Sequence, residues 1–165
     1  MVSIVSVQRG QLWRKRLPGC LENMKQGRLL LIIDDARVSR LICRVAERFG
    51  MSYLAIKKTD DIDVAYKKSR PDIILLDPEP YETQGRDVLR KLAEQRTYAA
   101  IVMTNISPDH TGQLEGMGDS FDLNIVGALP DFFDADILKQ KFNSIPALID
   151  QHRYIAEENI TLNRY

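Results

Sequence analysis

Short apolar runs alternate along the chain with segments in which apolar residues recur every three or four positions. The runs are bounded by charged or turn-forming residues, and this pattern predicts buried β-strands. The segments between them carry a single apolar stripe, which predicts helices that bury one face. Strands are predicted at residues 29–33, 52–56, 72–77, 99–104 and 123–129.

A helix is predicted after each of these strands. Gly50 ends the first helix, and Pro71 lies just beyond the second. Ser107 and Pro108 resemble an N-cap and a first-turn proline for the fourth helix, although several glycines fall in or near its span. The predicted helices are residues 38–49, residues 60–68, residues 86–95, the segment after Pro108, and a last helix that starts at Asp131 or Asp134 and reaches Phe142 or beyond.

The alternation of strand and helix, repeated five times, predicts an α/β fold with a parallel sheet covered by helices on both faces. Short right-handed crossovers leave few topologies. We therefore expect a flavodoxin-like, doubly wound (βα)5 sheet with the strand order 2-1-3-4-5. One domain is predicted at residues 28–145, after an N-terminal extension at residues 1–27 that is expected to be flexible. Residues 146–165 form a tail that can continue as helix.

The N-terminal extension is basic, while the chain as a whole is neutral. Residues 1–28 contain six basic residues and one glutamate, which leaves them a charge of +5 and the remainder −5. One interpretation is a solvated basic arm. The alternative is that Met24 is the natural start and that residues 1–23 are an upstream extension.

The composition excludes several classes of function. The formal net charge is zero, so the strongly basic face that is typical of nucleic-acid binding is not expected. No apolar run reaches the roughly 20 residues that a membrane-spanning helix needs. Cys20 and Cys43 are the only cysteines, and they make neither a disulfide framework nor a metal-ligand pattern. We therefore expect a cytoplasmic protein that binds neither nucleic acid nor membranes.

Carboxylates follow two of the predicted strands. Asp34 and Asp35 end the first strand and Asp77 ends the third, while Thr104 ends the fourth. The first and third strands are neighbours in the predicted order, and sheets of this kind bind ligands at the carboxyl ends of such strands. Clustered carboxylates need a cation, and hard oxygen ligands suit Mg²⁺. The alternative is that these residues only cap and turn the chain after buried strands.

Four features together carry a resemblance to a known family, and it covers residues 28–143. The acidic pair is the most specific feature, and the strand that ends in Asp77 is the next. The chain resembles the response-regulator receiver domains of two-component systems in the run at residues 29–35, the sequence Pro-Asp-Ile-Ile-Leu-Leu-Asp at residues 71–77, the glycine at Gly85 and the strand at residues 101–104.

The resemblance implies a role for each residue of the acidic site. In receiver domains the last aspartate of the third strand accepts a phosphoryl group from a histidine kinase or a phosphotransfer protein, and here that residue is Asp77. Asp34, Asp35 and Asp77, with the backbone carbonyl of Glu79, are implied to hold Mg²⁺, with Asp35 as a direct ligand. Thr104 is implied to contact a phosphoryl oxygen.

The sequence departs from the family after the fifth strand, where receiver domains carry a lysine followed by a proline. If Phe133 is aligned with the aromatic residue that follows in the family, Asp131 stands at the lysine position. If Pro130 is aligned with the proline, Leu129 stands there instead. The lysine is absent in both alignments, and the nearest one, Lys139, lies on the last predicted helix. We expect Mg²⁺ binding to survive and phosphorylation to be slow or absent.

The leading hypothesis is a stand-alone response-regulator receiver in a two-component phosphorelay. It would accept a phosphoryl group on Asp77 with Mg²⁺ and would signal through protein contacts, not as an enzyme. In receiver domains the fourth helix, fifth strand and fifth helix usually contact a downstream protein or a second copy in a homodimer. On this face the sequence has the apolar residues Phe132, Phe133, Ile137, Leu138 and Phe142.

Two other functions are weighed against this one. The first is a degenerate receiver that acts as a phosphorylation-independent protein-interaction module, which the missing lysine favours. The second is a Mg²⁺-dependent phosphohydrolase with an aspartate nucleophile. That class usually carries an Asp-x-Asp arrangement at the first strand, whereas this chain has Asp34-Asp35-Ala36.

Overall fold

Six β-strands form one sheet in the computed structural model, which describes residues 3–5, 27–79, 84–97, 99–104, 116, 118–130 and 132–145. The spatial order of the strands is β1-β3-β2-β4-β5-β6. Strands β2 to β6 run parallel to one another, and their order confirms the predicted 2-1-3-4-5 arrangement. The strands are β1 Ser3–Val5, β2 Arg28–Ile32, β3 Ser52–Ile56, β4 Ile73–Leu76, β5 Ala100–Met103 and β6 Ile125–Ala128.

No strand is predicted in the N-terminal extension, yet three of its residues form β1. This short strand pairs antiparallel with β3, with Ser3 opposite Ala55 and Val5 opposite Tyr53. It therefore covers an edge of the parallel sheet that would otherwise present unpaired backbone groups. The expected flexibility of the rest of the extension concerns residues that lie outside the described ranges, apart from Gly27.

Within the described ranges, three helices connect the strands: α1 Ala36–Arg48, α2 Ile62–Ser69 and α3 Arg86–Glu94. Asp35 and Asp61 cap α1 and α2 by accepting hydrogen bonds from amides of the first turn. Residues 135–145 are helical, and Asp134 caps this C-terminal helix by accepting a bond from the Ile137 amide at 2.9 Å. Residues 118–121 form a short helical turn before β6.

The sheet separates two hydrophobic cores. Alternate strand residues such as Leu30 and Ile74 face α2 and α3. Their neighbours in sequence, such as Leu31 and Leu75, face α1 and the C-terminal helix, where Phe142 is fully buried. Because strands buried on both faces need apolar side chains at every position, the continuous apolar runs of the sequence are explained.

The amino-terminal edge of the sheet is held by an ion pair between neighbouring strands. The Arg28 guanidinium donates to both carboxylate oxygens of Asp72, at 3.0 and 3.1 Å, and the Arg28 amide donates at 3.0 Å. Only 5% of the Asp72 side chain is exposed. Asp72 is therefore a structural residue at the edge opposite Asp77.

Three sequence predictions concern segments outside the described ranges: the cap at Ser107 and Pro108, the start of the last helix at Asp131, and the tail at residues 146–165. On the predicted contact face, Phe132 is 91% exposed and Ile137 is 38% exposed, while Leu138 and Phe142 belong to the core. None of the helices in the described part of the chain combines the length and the apolar character that crossing a membrane requires.

Candidate functional site

The carboxyl ends of the parallel strands form one edge of the sheet, which we call the carboxyl edge. Backbone pairing continues past the strands there. The amide of Asp77 donates to the carbonyl of Ile32 at 3.2 Å, and the amide of Thr104 donates to the carbonyl of Leu76 at 2.8 Å. The residues that follow neighbouring strands are therefore held side by side. Besides Asp77 and Thr104, the carboxyl edge contains Asp34, Lys58 and Leu129.

Asp35 is engaged as a helix cap. Its Oδ1 accepts hydrogen bonds from the amides of Arg37 at 2.8 Å and Val38 at 3.4 Å. A carboxylate in this place satisfies amide groups that have no partner within the helix, and it interacts favourably with the helix dipole. The geometry thus gives Asp35 a structural role at the start of α1, close to the site predicted from the sequence.

Both carboxylate oxygens of Asp34 contact a residue of the turn after β3. The Lys58 amide donates to Oδ1 at 2.9 Å, and the Lys58 ammonium lies 3.7 Å from Oδ2. Only 1% of the lysine side chain is exposed, whereas 43% of the Asp34 side chain is. A buried ammonium needs a nearby anion because its removal from water is costly. Asp34 provides that anion.

Asp77 is half-buried at the end of β4, and its carboxylate is bound within its own loop. Its Oδ1 accepts a hydrogen bond from the Glu79 amide at 3.0 Å. Glu79 itself is exposed, and metal binding by its backbone carbonyl stays a prediction. Gly85 packs against this loop, because a Cβ built there would overlap the backbone carbonyl oxygen of Pro78. The glycine that contributed to the family resemblance therefore lets the start of α3 approach the loop after Asp77.

Thr104 is buried directly beside the loop that contains Asp77. Thr104 is 2% exposed, and the hydrogen bond from its amide to the Leu76 carbonyl continues the pairing of β5 with β4. Since Leu76 pairs with Met103, Asp77 and Thr104 are the next residues of the two strands and lie at neighbouring positions of the edge. These are the two predicted site residues that backbone pairing between adjacent strands most directly brings together.

A buried leucine follows β6, where the family carries its lysine in one of the two alignments. The Leu129 amide donates to the Met103 carbonyl at 2.7 Å, and the side chain is 1% exposed within the core beneath the C-terminal helix. Asp131, the residue at this position in the other alignment, lies outside the described ranges. Leu129 adds no charge to the carboxyl edge.

The predicted metal ligands lie at one edge of the sheet, and each has a different contact there. In the described ranges, no group of three or more His, Cys, Asp or Glu side chains could hold a metal ion. Asp35 caps a helix, both oxygens of Asp34 face Lys58, and Asp77 accepts a bond from its own loop. The residues in this arrangement do not fit Mg²⁺, and its binding by Asp34, Asp35 and Asp77 stays a prediction from the sequence.

Lys58 is the residue of the carboxyl edge that the sequence analysis missed. The sequence Lys57-Lys58-Thr59 after a strand has the character of an exposed turn. The turn is closed by Asp60, whose carboxylate accepts a bond from the Lys57 amide at 2.8 Å and whose amide donates to the Lys57 carbonyl at 3.0 Å. One signal was available, because the first and second strands are neighbours in the predicted order and a residue after the second should lie near Asp34.

A separate cluster between α1 and β3 shifts two pKa values. Burial raises the pKa of the Cys43 thiol, although a hydrogen bond with Ser39 opposes the shift. Burial and a 2.7 Å hydrogen bond to Glu47 raise the pKa of Tyr53 well above its usual value. Both groups therefore stay protonated at neutral pH, and neither lies at the carboxyl edge.

No family model and no curated protein matches the chain. Its structure, however, is similar to several solved structures. One is NtrX from Brucella abortus, with a TM-score of 0.65 and 14% identity over 80% of this chain. The match covers 29% of NtrX, so this chain spans less than a third of that protein.

Two further structures match over nearly their whole length. The signal receiver domain of a putative Luxo repressor protein from Vibrio parahaemolyticus has a TM-score of 0.57 and 21% identity, covering 79% of this chain and 95% of that domain. The CheY-like response regulator receiver domain protein from Methanospirillum hungatei JF-1 has a TM-score of 0.58 and 20% identity, covering 74% and 96%. The strand order and these similarities confirm that this chain has the fold of a response-regulator receiver domain.

Proposed function

We propose that this chain is a receiver-type protein-interaction module of two-component signalling that works without Mg²⁺-dependent phosphorylation of Asp77. The observation that carries the proposal is the engagement of Asp34. Both of its carboxylate oxygens contact Lys58, so the group that would help to bind a divalent cation already has a positive partner.

The lack of the family's lysine supports the same function. Transfer of a phosphoryl group needs positive charge around its equatorial oxygens. Leu129 follows β6 as a buried apolar residue, and Lys139 pairs with Asp136 on the C-terminal helix at 3.8 Å. Neither residue supplies positive charge beside Asp77, which favours a module whose state does not depend on phosphorylation.

Such a module acts by binding other proteins and not by catalysis. Its expected partners are a histidine kinase or phosphotransfer protein on the input side, and a downstream protein or a second copy on the output side. Phe132, at 91% exposure, and Ile137 provide exposed apolar surface at the start of the C-terminal helix. We propose that contacts are made there, in the cytoplasm and without nucleic acid or membranes.

A second candidate function is that of a phosphoryl acceptor, and it is favoured by the adjacency of Asp77 and Thr104. The half-buried carboxylate can act as a nucleophile that forms an acyl phosphate. The neighbouring threonine can donate a hydrogen bond to a phosphoryl oxygen. This function requires positive charge beside Asp77, whereas the positive charge of the carboxyl edge, the Lys58 ammonium, pairs with Asp34.

Intact mass spectrometry separates the two functions. The full chain is incubated with acetyl phosphate, with and without Mg²⁺, beside the variants Asp77→Asn and Asp87→Asn. Asp87 is an exposed aspartate on α3 that pairs with Arg90, so its replacement is a matched control. We expect no gain of mass in any sample. A Mg²⁺-dependent gain of one phosphoryl group that Asp77→Asn abolishes and Asp87→Asn retains would establish the second function instead.

A further inference from the structure

Lys58 is the buried cation of the carboxyl edge. Lys58 follows the end of β3. The parallel pairing of β3 with β2 extends to this point, because the Ile33 amide donates a hydrogen bond to the Ile56 carbonyl at 3.2 Å. The turn from Lys57 to Asp60 then directs the Lys58 side chain inward, and only 1% of that side chain is exposed. Lysine side chains normally extend to keep the ammonium in water. A lysine buried to this degree is therefore held in place by its local structure.

The contacts of Lys58 are those expected of a counterion for Asp34. One residue supplies a hydrogen bond to Oδ1 through its amide and a positive charge to Oδ2 through its ammonium. A divalent cation that approached Asp34 would meet a like charge and would have to displace the ammonium from Oδ2. Coulomb repulsion at such distances is stronger near a protein surface than in bulk water.

We propose that the Lys58 ammonium takes the place of a divalent cation at the carboxyl edge and prevents metal binding there. The proposal rests on the proposed function, because it explains how Asp34 can have a counterion without Mg²⁺. It assigns Asp34 as the anchor of an internal cation. It also leaves Asp35 free to cap α1 and Asp77 free to bind its own loop.

The proposal predicts that removal of the ammonium creates a metal site. Mn²⁺ binding is measured by calorimetric titration on the full chain, on Lys58→Met and on Lys57→Met, in which an exposed neighbouring lysine is replaced. Lys58→Met should bind Mn²⁺ at least about tenfold more tightly than the wild type, the scale on which one neighbouring group alters metal affinity. Lys57→Met should match the wild type, and Asp34→Asn added to Lys58→Met should abolish the gain.

A folded Lys58→Met variant that binds Mn²⁺ no better than the wild type would overturn the proposal. If that variant does not fold, the proposal is tested by NMR spectroscopy of the wild type with Mn²⁺, which broadens the signals of nearby amides. Unbroadened signals from Asp34 and Asp77 at millimolar Mn²⁺ support the proposal, and selective broadening of both contradicts it. If the wild type binds the metal but is not phosphorylated, only the role proposed for Lys58 is refuted. If Asp77 is phosphorylated in a wild type that binds no metal, only the proposed function is refuted.

Discussion

The ammonium of Lys58 lies 3.7 Å from a carboxylate oxygen of Asp34, with 1% of the lysine side chain exposed. The two residues follow neighbouring parallel strands and are 24 positions apart in the sequence. Their pairing means that Asp34 already has a counterion within the chain. The two partners differ in their exposure to solvent, because the Lys58 side chain is buried and the Asp34 side chain is partly exposed.

This inequality predicts that the two residues contribute differently to stability. Asp34→Asn leaves a buried ammonium without its anion, so we expect the free energy of unfolding to fall by about 2 kcal/mol. Lys58→Met removes the buried charge and should change it by less than about 1 kcal/mol. Urea denaturation measures both. The double variant should recover most of the loss caused by Asp34→Asn, and additive losses would show that the pair is not coupled.

The ion pair between Arg28 and Asp72 predicts a structural role for the first aspartate of the Pro-Asp-Ile-Ile-Leu-Leu-Asp sequence. The Asp72 carboxylate accepts three hydrogen bonds from Arg28, and its replacement by alanine leaves the guanidinium and an amide without this partner. We expect Asp72→Ala to cost about 3 kcal/mol of unfolding free energy. Asp87→Ala, which breaks an exposed pair on α3, should cost less than about 1 kcal/mol. Equal effects in urea denaturation would contradict the assignment.

Gly85 should not tolerate a side chain. A Cβ at this position overlaps the backbone carbonyl of Pro78, so either Pro78 or the start of α3, the helix that carries the core residues Val88 and Leu89, must shift. We expect Gly85→Ala to lower the free energy of unfolding by about 2 kcal/mol or more. Gly116→Ala is the matched control, because nothing lies within 4 Å of a Cβ there. The account fails if both variants have the same thermal midpoint.

The raised pKa of Tyr53 predicts that stability falls in alkaline solution. Its phenol donates to Glu47, and burial together with this bond raises its pKa in the folded protein. The contribution is fully present below the unfolded tyrosine pKa of about 10. It is lost as the pH rises above that value, because the unfolded chain then releases a proton that the folded protein retains. Tyr53→Phe and Glu47→Gln should each make this loss shallower, as measured by urea denaturation between neutral and strongly alkaline pH. An unchanged slope would contradict the assignment.

The core of the fold was predictable because its signal is local and strong. The predicted strand at residues 52–56 matches β3, and the predicted helix at residues 86–95 differs from α3 by one residue. Strand β6 is shorter than its predicted range. The register shifts between Ile101 and Val102, and Leu123 and Asn124 precede the strand. Apolar character alone does not reveal such a shift.

The elements that were missed depend on distant contacts. Strand β1 has three residues and no hydrophobic period, and its pairing with Ala55 and Tyr53 comes from the tertiary structure. The burial of Lys58 depends on the turn closed by Asp60 and on the neighbouring strand that carries Asp34. The sequence pattern placed the aspartates at one edge of the sheet. It did not reveal that each has a partner of its own there.

If the proposed function is right, the carboxyl edge stays in one state whether or not Mg²⁺ and a phosphoryl donor are present. The most direct test is an amide NMR spectrum of the full chain, recorded alone, with Mg²⁺, and with Mg²⁺ and acetyl phosphate. The account predicts that the signals of Asp34, Lys58, Asp77 and Thr104 keep their positions in all three samples. A shift of the Asp77 and Thr104 signals that requires both additions, and that is lost in Asp77→Asn, would contradict it.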